Sequence, residues 1–285
     1  MLFIGDEKRH RGFPWMTVLL VVANITVYQA QLHFGDRLTF GCSLVAKEIT
    51  TGQDIVGRTP ITVYEAVDEP SGHTSYTKHV ILIEQQPGPT PIYLTLVTSM
   101  FMHGNGVHLI GNMLYLLVFG RNVERAMGSG LFLIFYLIVG VAAGMTHVFV
   151  NPDGLAPYLG ASGAISGIMG AYLFLFPFNW VKVWVIFAVV ELPTIFVLGG
   201  WVLLQFVDSM DAVQSGQVQV GVAYWAHVGG FVAGLLFVVT LLAILKMSRG
   251  LTGAQPPQES EAAKQRNRSR GHDTDIEATI RRAFQ

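Results

Sequence analysis

The sequence predicts an all-α integral membrane protein, a bundle of six transmembrane helices with both termini on the cytoplasmic side. Three observations carry that expectation. Of the 285 residues, 51% are apolar and only 13% charged, with a mean hydropathy of +0.46, whereas an ordinary globular chain carries about a quarter charged residues. Six stretches reach or approach the roughly 20 apolar residues that cross a bilayer as a helix. The basic residues are also segregated. Fourteen of the 18 Lys and Arg fall at the N-terminus, in the turns holding Arg121, Arg125 and Lys182, or in the tail from Lys246 onward, and such segments stay cytoplasmic.

The same composition excludes other classes. A formal charge of -1 leaves no global basic field, so no nucleic-acid partner is expected. Cys42 is the single cysteine, which rules out an intrachain disulfide and any CxxC motif.

Taken in order, residues 1–12 read as a cytoplasmic N-terminus and 13–245 as the membrane domain. Span 1, Phe13 to Leu32, is not a cleavable signal peptide: it is long and closes on Gln29, Gln31 and His33 without a small-x-small site. The outer segment 36–102 is long enough to be structured. Within it, Ile61 to Val67 and Lys78 to Glu84 are β-branched-rich runs around a turn-forming Asp-Glu-Pro-Ser-Gly, which reads as a hairpin. Pro87, Pro89, Pro91 and the apolar Ile92 to Phe101 suggest an interfacial approach to the second span. The remaining spans are Val107 to Gly120, Leu131 to Val150, Leu159 to Phe178, Val183 to Leu204 and Trp225 to Leu245. Segments near 151–158 and 205–224 then face outward. Residues 246–285 read as a mostly disordered cytoplasmic tail, with a short helix near Ile276 to Phe284.

Strongly polar side chains inside spans are costly and mark function by default. They are His108 and Asn112 in span 2, His147 in span 3, Ser162 and Ser166 in span 4, Glu191 in span 5 and His227 in span 6. His108 and Asn112 are four apart and share a helix face; interhelical hydrogen bonds alone would also explain them. In span 4, Gly163 and Gly167 have the small-xxx-small spacing that lets backbones approach closely, as do Gly230 and Gly234 in span 6. Ser162 comes three residues after Leu159 and His227 two after Trp225. At about 1.5 Å per residue the two share a shallow depth. A serine and a histidine at equal depth on close-packed helices are a candidate nucleophile and general base. Neither serine stands in G-x-S-x-G and no H-E-x-x-H occurs, so neither a soluble α/β-hydrolase elbow nor a zincin is indicated.

Phe101-x-His103, His108-x-x-x-Asn112-Met113, Phe119-Gly-x-x-Val-Glu124, Gly160-Ala-Ser-Gly163 with Gly167, and Ala226-His227 with Gly230 and Gly234 follow one another along the chain. In that order, from about Leu94 to Leu245, they resemble the rhomboid intramembrane serine proteases. The resemblance implies a rhomboid-like bundle in which Ser162 is the nucleophile and His227 its base. It further implies that His108 and Asn112, with the Ser162 backbone N–H, stabilise the oxyanion. His103 is implied in a supporting role, and Arg121 and Glu124 in a structural turn after span 2. Two departures stand out. Some relatives carry, four positions after the nucleophile, an aromatic that stacks on the histidine, where this chain has Ser166. The outer segment also lacks the Trp-Arg pair of some relatives.

A third catalytic residue is not evident. Glu191 lies about eight residues, or roughly 12 Å, above the inner end of span 5, too deep to reach Ser162, and is expected protonated or hydrogen-bonded within the bundle. A Ser-His dyad follows, with no metal and no cofactor. His147 is expected to be structural or interfacial. The expected partners are the lipid bilayer and membrane-protein substrates with transmembrane segments; the oligomeric state is left open. Resemblance implies that substrates unwind at small, helix-destabilising residues and reach the site between spans 2 and 5. The expected location is a multi-pass position in a bacterial cytoplasmic membrane. The rivals are a non-catalytic relative of the same fold and a transporter or metal carrier using His103, His108 and His227.

Overall fold

The computed structural model describes residues 2–6, 13–68, 74–185, 188–214 and 224–252. The tail beyond 252, with the helix expected near 276–284, lies outside the described residues. In chain order the elements are β1 (Leu2–Asp6), α1 (Trp15–Phe34), α2 (Asp36–Gly41), α3 (Ala46–Thr51), β2 (Gly57–Asp68), β3 (Thr74–Gln85), α4 (Thr95–Thr98), α5 (Gly106–Tyr115), α6 (Arg121–Met127), α7 (Ser129–Val150), α8 (Ser162–Leu175), β4 (Trp180–Val185), β5 (Ala188–Pro193), α9 (Thr194–Gln214) and α10 (Tyr224–Thr252). A wider π-type turn, Leu116–Gly120, joins α5 to α6.

Among the described residues, three helices are long and apolar enough to cross a membrane: Trp15–Phe34, Ser129–Val150 and Tyr224–Met247. Between them α8 is the central post. Its 14 residues are buried from Gly163 through Tyr172, so it has no face left for lipid. Around it Phe119, Phe132, Phe135 and Tyr136 are fully buried. The Phe119 and Tyr172 rings meet edge to face at 5.0 Å. Large apolar side chains such as Ile134, Phe196 and Leu236 point outward, as helices solvated by hydrocarbon require.

Glycine lets α8 and α10 touch. A Cβ built on Gly230 would run into the Gly163 carbonyl oxygen, and one on Gly234 into the Gly167 carbonyl oxygen. The two small-xxx-small pairs singled out in the sequence therefore face each other, backbone against backbone.

At the other end of α1, the Glu124 carboxylate accepts from Met16 N (2.9 Å), Thr17 N (2.7 Å), Thr17 Oγ1 (2.7 Å) and Ser129 Oγ (2.5 Å). It satisfies the free N–H groups at the start of α1 and ties that helix to α6 and α7.

Span 5 is corrected. β4 and β5 pair antiparallel where this span was expected to begin, and the helix starts at Thr194, not at Val183. Trp-Val-Lys-Val alternates, burying Val181 and Val183 and leaving Trp180 exposed, a period of two that an apolar window alone does not register. Pro193 then disfavours helix in the residue before it. Glu191 consequently sits on β5 opposite Lys182, its carboxylate 3.2 Å from Nζ in a half-exposed ion pair, and not within the bundle. In the N-terminal segment β1 pairs antiparallel with β4, giving a sheet of order β1-β4-β5.

In the 36–102 segment, β2 and β3 pair antiparallel from Gly57↔Gln85 to Asp68↔Thr74. This segment is lashed to residues 151–158: Leu44 and Tyr158 exchange backbone hydrogen bonds of 2.9 and 2.7 Å, and Gln85 Nε2 donates to Leu155 O at 2.8 Å. Glu48 on α3 is 4% exposed and bonded to Ile55 N at 3.0 Å. Burial pushes its carboxyl up from 4.5 to about 7, with nearby Asp54 adding to the rise against the Ile55 bond.

Between those values the folded protein holds a proton that the unfolded chain has released, so stability falls as pH rises through that window. Thermal melts from pH 4.5 to 8 should therefore show a loss that Glu48→Gln, which cannot ionise, reduces. Identical pH dependence in the two proteins would show that Glu48 is not the titrating group.

Candidate active site

Ser162 opens α8. As the first helical residue it has no carbonyl one turn back for its N–H to bond, and it sits at the positive end of the helix dipole. Its Oγ lies 2.9 Å from Nε2 of His227, which stands in the first turn of α10. The Gly163–Gly230 contact sits directly beside this pair in both helices, so the approach of the backbones sets the distance between the side chains. Ser162 and His227 are each half-buried.

The other ring nitrogen of His227 is also taken. Nδ1 lies 2.6 Å from Oε1 of Gln205, one of the later residues of α9. An amide oxygen only accepts, so Nδ1 carries the proton and Nε2 presents its lone pair to the serine hydroxyl.

Facing Ser162 is the start of α5. Gly160, at φ 128°, carries the chain past it so closely that a Cβ there would stand 2.8 Å from His108 Cε1, 3.0 Å from His108 Nε2 and 3.7 Å from Asn112 Nδ2. Only glycine fits this position, by conformation and by space. The backbone two residues before the serine is thus walled by the two side chains expected to face an oxyanion. Asn105 caps α5 through a 2.8 Å bond from His108 N.

Asn112 is aimed by its neighbour. Its Nδ2 donates to His103 Nε2 at 2.9 Å, while His103 Nδ1 lies 3.3 Å from Phe101 O. His103 is held by Gln31 of α1, whose Oε1 accepts from His103 N (2.9 Å) and whose Nε2 donates to His103 O (3.1 Å). An amide donates two hydrogens from Nδ2, so one stays available on the side of Gly160.

The sequence-predicted residues are thus distributed unevenly. Ser162, His227, His108, Asn112 and His103 converge. Ser166 does not: it is 2% exposed, donates to Ser162 O at 2.7 Å, and takes no part in holding the histidine. His147 stacks on Tyr158 with centroids 5.1 Å apart and planes 22° apart. Sequence reasoning missed three participants: Gln31, Gln205 and Trp201, whose ring lies 6.0 Å from that of His227. The available signal was the spacing of four between Trp201 and Gln205, but a span ending at Leu204 divided them.

A family model described as the Rhomboid domain matches residues 91–244, which is more than half of the chain. This chain belongs to the rhomboid family. It is 27% identical over 253 residues to RHOMBOID-like protein 4 of Arabidopsis thaliana, covering 83% of this chain and 56% of that protein. It is 29% identical over 156 residues to Rhomboid-like protein 11, chloroplastic, of the same plant, covering 52% of each. Over 79 residues it is 40% identical to Rhomboid protease GluP of Bacillus subtilis (strain 168), covering 28% of this chain and 15% of GluP. The chain therefore spans about half the length of the two plant relatives. Relatives named chloroplastic and mitochondrial give no support to the expected bacterial cytoplasmic membrane. What stands is a membrane-embedded rhomboid chain.

The two serines should differ in reactivity. A fluorophosphonate probe should modify Ser162, bonded to a base, and not Ser166, bonded to its own helix. Peptide mapping by mass spectrometry decides it, and modification of Ser166 alone would overturn the assignment.

Proposed function

We propose that this protein is an intramembrane serine endopeptidase that cuts membrane-protein substrates in or near their transmembrane segments with a Ser162–His227 pair. The observation that carries the reading is the 2.9 Å approach of His227 Nε2 to Ser162 Oγ, within hydrogen-bond reach for general-base activation. Family membership supports the reaction class, as does the relative named a rhomboid protease.

The steps follow from the geometry. His227 takes the Ser162 proton as Oγ attacks the scissile carbonyl. The resulting oxyanion lies among donors: the Ser162 N–H at the head of α8, the free hydrogen of Asn112, and the His108 ring beside Gly160. Such donors work in a low-dielectric site without reorganising at the moment of reaction. The imidazolium then protonates the leaving amine, leaving an acyl-serine. Water, deprotonated by the same imidazole, attacks the acyl carbon; the bond from that carbon to Ser162 Oγ breaks, Oγ takes the proton back from the imidazolium, and the carboxylic product leaves. His103 acts through Asn112 as a positioning residue. No step uses a metal or cofactor.

In this reading six helical columns cross the bilayer: α1, the α5–α6 column, α7, α8, α9 and α10, with both termini cytoplasmic. The pairing of β1 with β4 supports that arrangement, because it puts the N-terminus and the α8–α9 connection at one end. Substrates approach between α5 and α9 and unwind locally, since a helical peptide hides its carbonyl in a hydrogen bond.

The metal-carrier alternative is weaker. Both ring nitrogens of His227 and both of His103 lie within hydrogen-bonding distance of protein groups. Among the described residues, no three His, Cys, Asp or Glu are grouped so that they could hold a metal ion. An inactive relative would have no need of the Ser162–His227 register.

The purified chain, reconstituted with a panel of single-span substrates, should cleave at least one, with the cut mapped by mass spectrometry. Ser162→Ala should abolish the cut. Asn112→Ala and His108→Ala should each lower turnover by about 100- to 1000-fold with less effect on substrate binding. Full cleavage by Ser162→Ala would end the proposal. Normal turnover with lowered thermal stability in both donor variants would reduce His108 and Asn112 to packing residues.

A further inference from the structure

We infer that α9 supplies a third side chain to this site: Gln205 is a positioning residue that holds His227 in the tautomer and plane the reaction needs, with Trp201 backing the same ring. The inference rests on the protease reading and adds to it a residue outside the Ser-His pair.

Three observations carry it. First, the bonds at the two ring nitrogens are compatible with one protonation pattern. Gln205 Oε1, at 2.6 Å, accepts a hydrogen from Nδ1, and Ser162 Oγ, at 2.9 Å, donates one to Nε2. A neutral imidazole has one N–H, so the amide selects the form whose lone pair faces the nucleophile. Without that acceptor, the proton can move to Nε2, where the ring can no longer accept from serine.

Second, Trp201 and Gln205 are four apart on α9 and share one helix face. The Trp201 ring lies 6.0 Å from the His227 ring, tilted by 36°, and 6.2 Å from Phe231 one turn further along α10. The indole thus occupies one side of the imidazole while the amide fixes its edge.

Third, the other candidates for these tasks are committed elsewhere. Ser166, four positions after Ser162, donates its hydroxyl to Ser162 O. Glu191, the acid that drew attention in the sequence, is paired with Lys182 on the hairpin that precedes α9. Asp208 is one turn beyond Gln205, yet the acceptor at Nδ1 is the neutral amide.

A consequence follows for the helix as a whole. On its outer side α9 exposes Leu203 and Leu204, and its hold on the site runs through Trp201 and Gln205. The base is therefore set only while α9 is seated on α10.

The test uses the full chain in lipid, with the native protein, Gln205→Leu, Gln205→Glu and Trp201→Ala. Two readouts are taken: kcat and KM on a single-span substrate, and the ring 15N shifts of His227, assigned by their loss in His227→Ala. The native ring should carry its proton on Nδ1. Gln205→Leu should lose that preference and about tenfold in kcat, the worth of one hydrogen bond, with KM within about twofold. Gln205→Glu keeps an acceptor at the same reach and should restore both. Trp201→Ala should lower kcat in the same sense.

The inference is overturned by a native ring protonated on Nε2. It is equally overturned by unchanged tautomer and kcat in Gln205→Leu, or by equal losses in the Leu and Glu variants with reduced thermal stability. A native protein that neither cleaves nor takes up a serine probe would defeat the protease reading alone, because the tautomer measurement still decides the role of Gln205.

Discussion

The backbones of α8 and α10 touch, and the site exists because they do. In hydrocarbon there is no hydrophobic effect to press two helices together, so close contact depends on van der Waals packing and on residues small enough to permit it. Gly163 and Gly167 meet Gly230 and Gly234 without intervening side chains, and Gly170 lies against the Phe231 carbonyl in the same seam. A contact of this kind fixes both the rotation and the depth of one helix relative to the other. Ser162 and His227 stand at the head of that seam, so the 2.9 Å between Oγ and Nε2 is inherited from it.

The remaining parts are set from outside the seam by hydrogen bonds between elements distant in sequence. Gln31 of α1 grips the backbone of His103, His103 aims Asn112, and Asn112 borders Gly160. Glu124 in turn anchors the start of α1, so the pose of Asn112 depends on a carboxylate that holds the far end of α1. Ser99 O receives the Gly160 N–H, tying the loop before Ser162 to the segment before α5. Each of these groups would be costly if left unpaired in an apolar bundle, and pairing them ties four helices to one location.

Much of this was legible in the sequence because lipid makes polar and small residues conspicuous. Ser162, His227, His108, Asn112 and the glycine pairs stood out for that reason, and the structure brings them together. The runs around 61–67 and 78–84 also lie in strands that pair, their β-branched content and turn residues being local signals. The failures around α9 trace to one boundary. Apolar content does not distinguish the alternating Trp180-to-Val185 strand from helix, so span 5 was started eleven residues early and closed one residue before Gln205. That displacement put Glu191 inside the bundle and Gln205 outside it, the reverse of what is found. Gln31 was out of reach for another reason: its partner is 72 residues away, and no spacing rule links them.

The central claim is that the glycine seam sets Ser162 against His227, and the direct measurement is the rate at which a fluorophosphonate modifies Ser162 when one methyl group is added to the seam. Gly230→Ala drives a Cβ into the Gly163 carbonyl, whereas Gly130→Ala, on α7, adds a methyl where nothing lies within 4 Å. The account predicts that Gly230→Ala slows modification by about tenfold or more, while Gly130→Ala reacts like the native protein. A Gly230→Ala protein that reacts with the probe at the native rate and melts at the native temperature would contradict it.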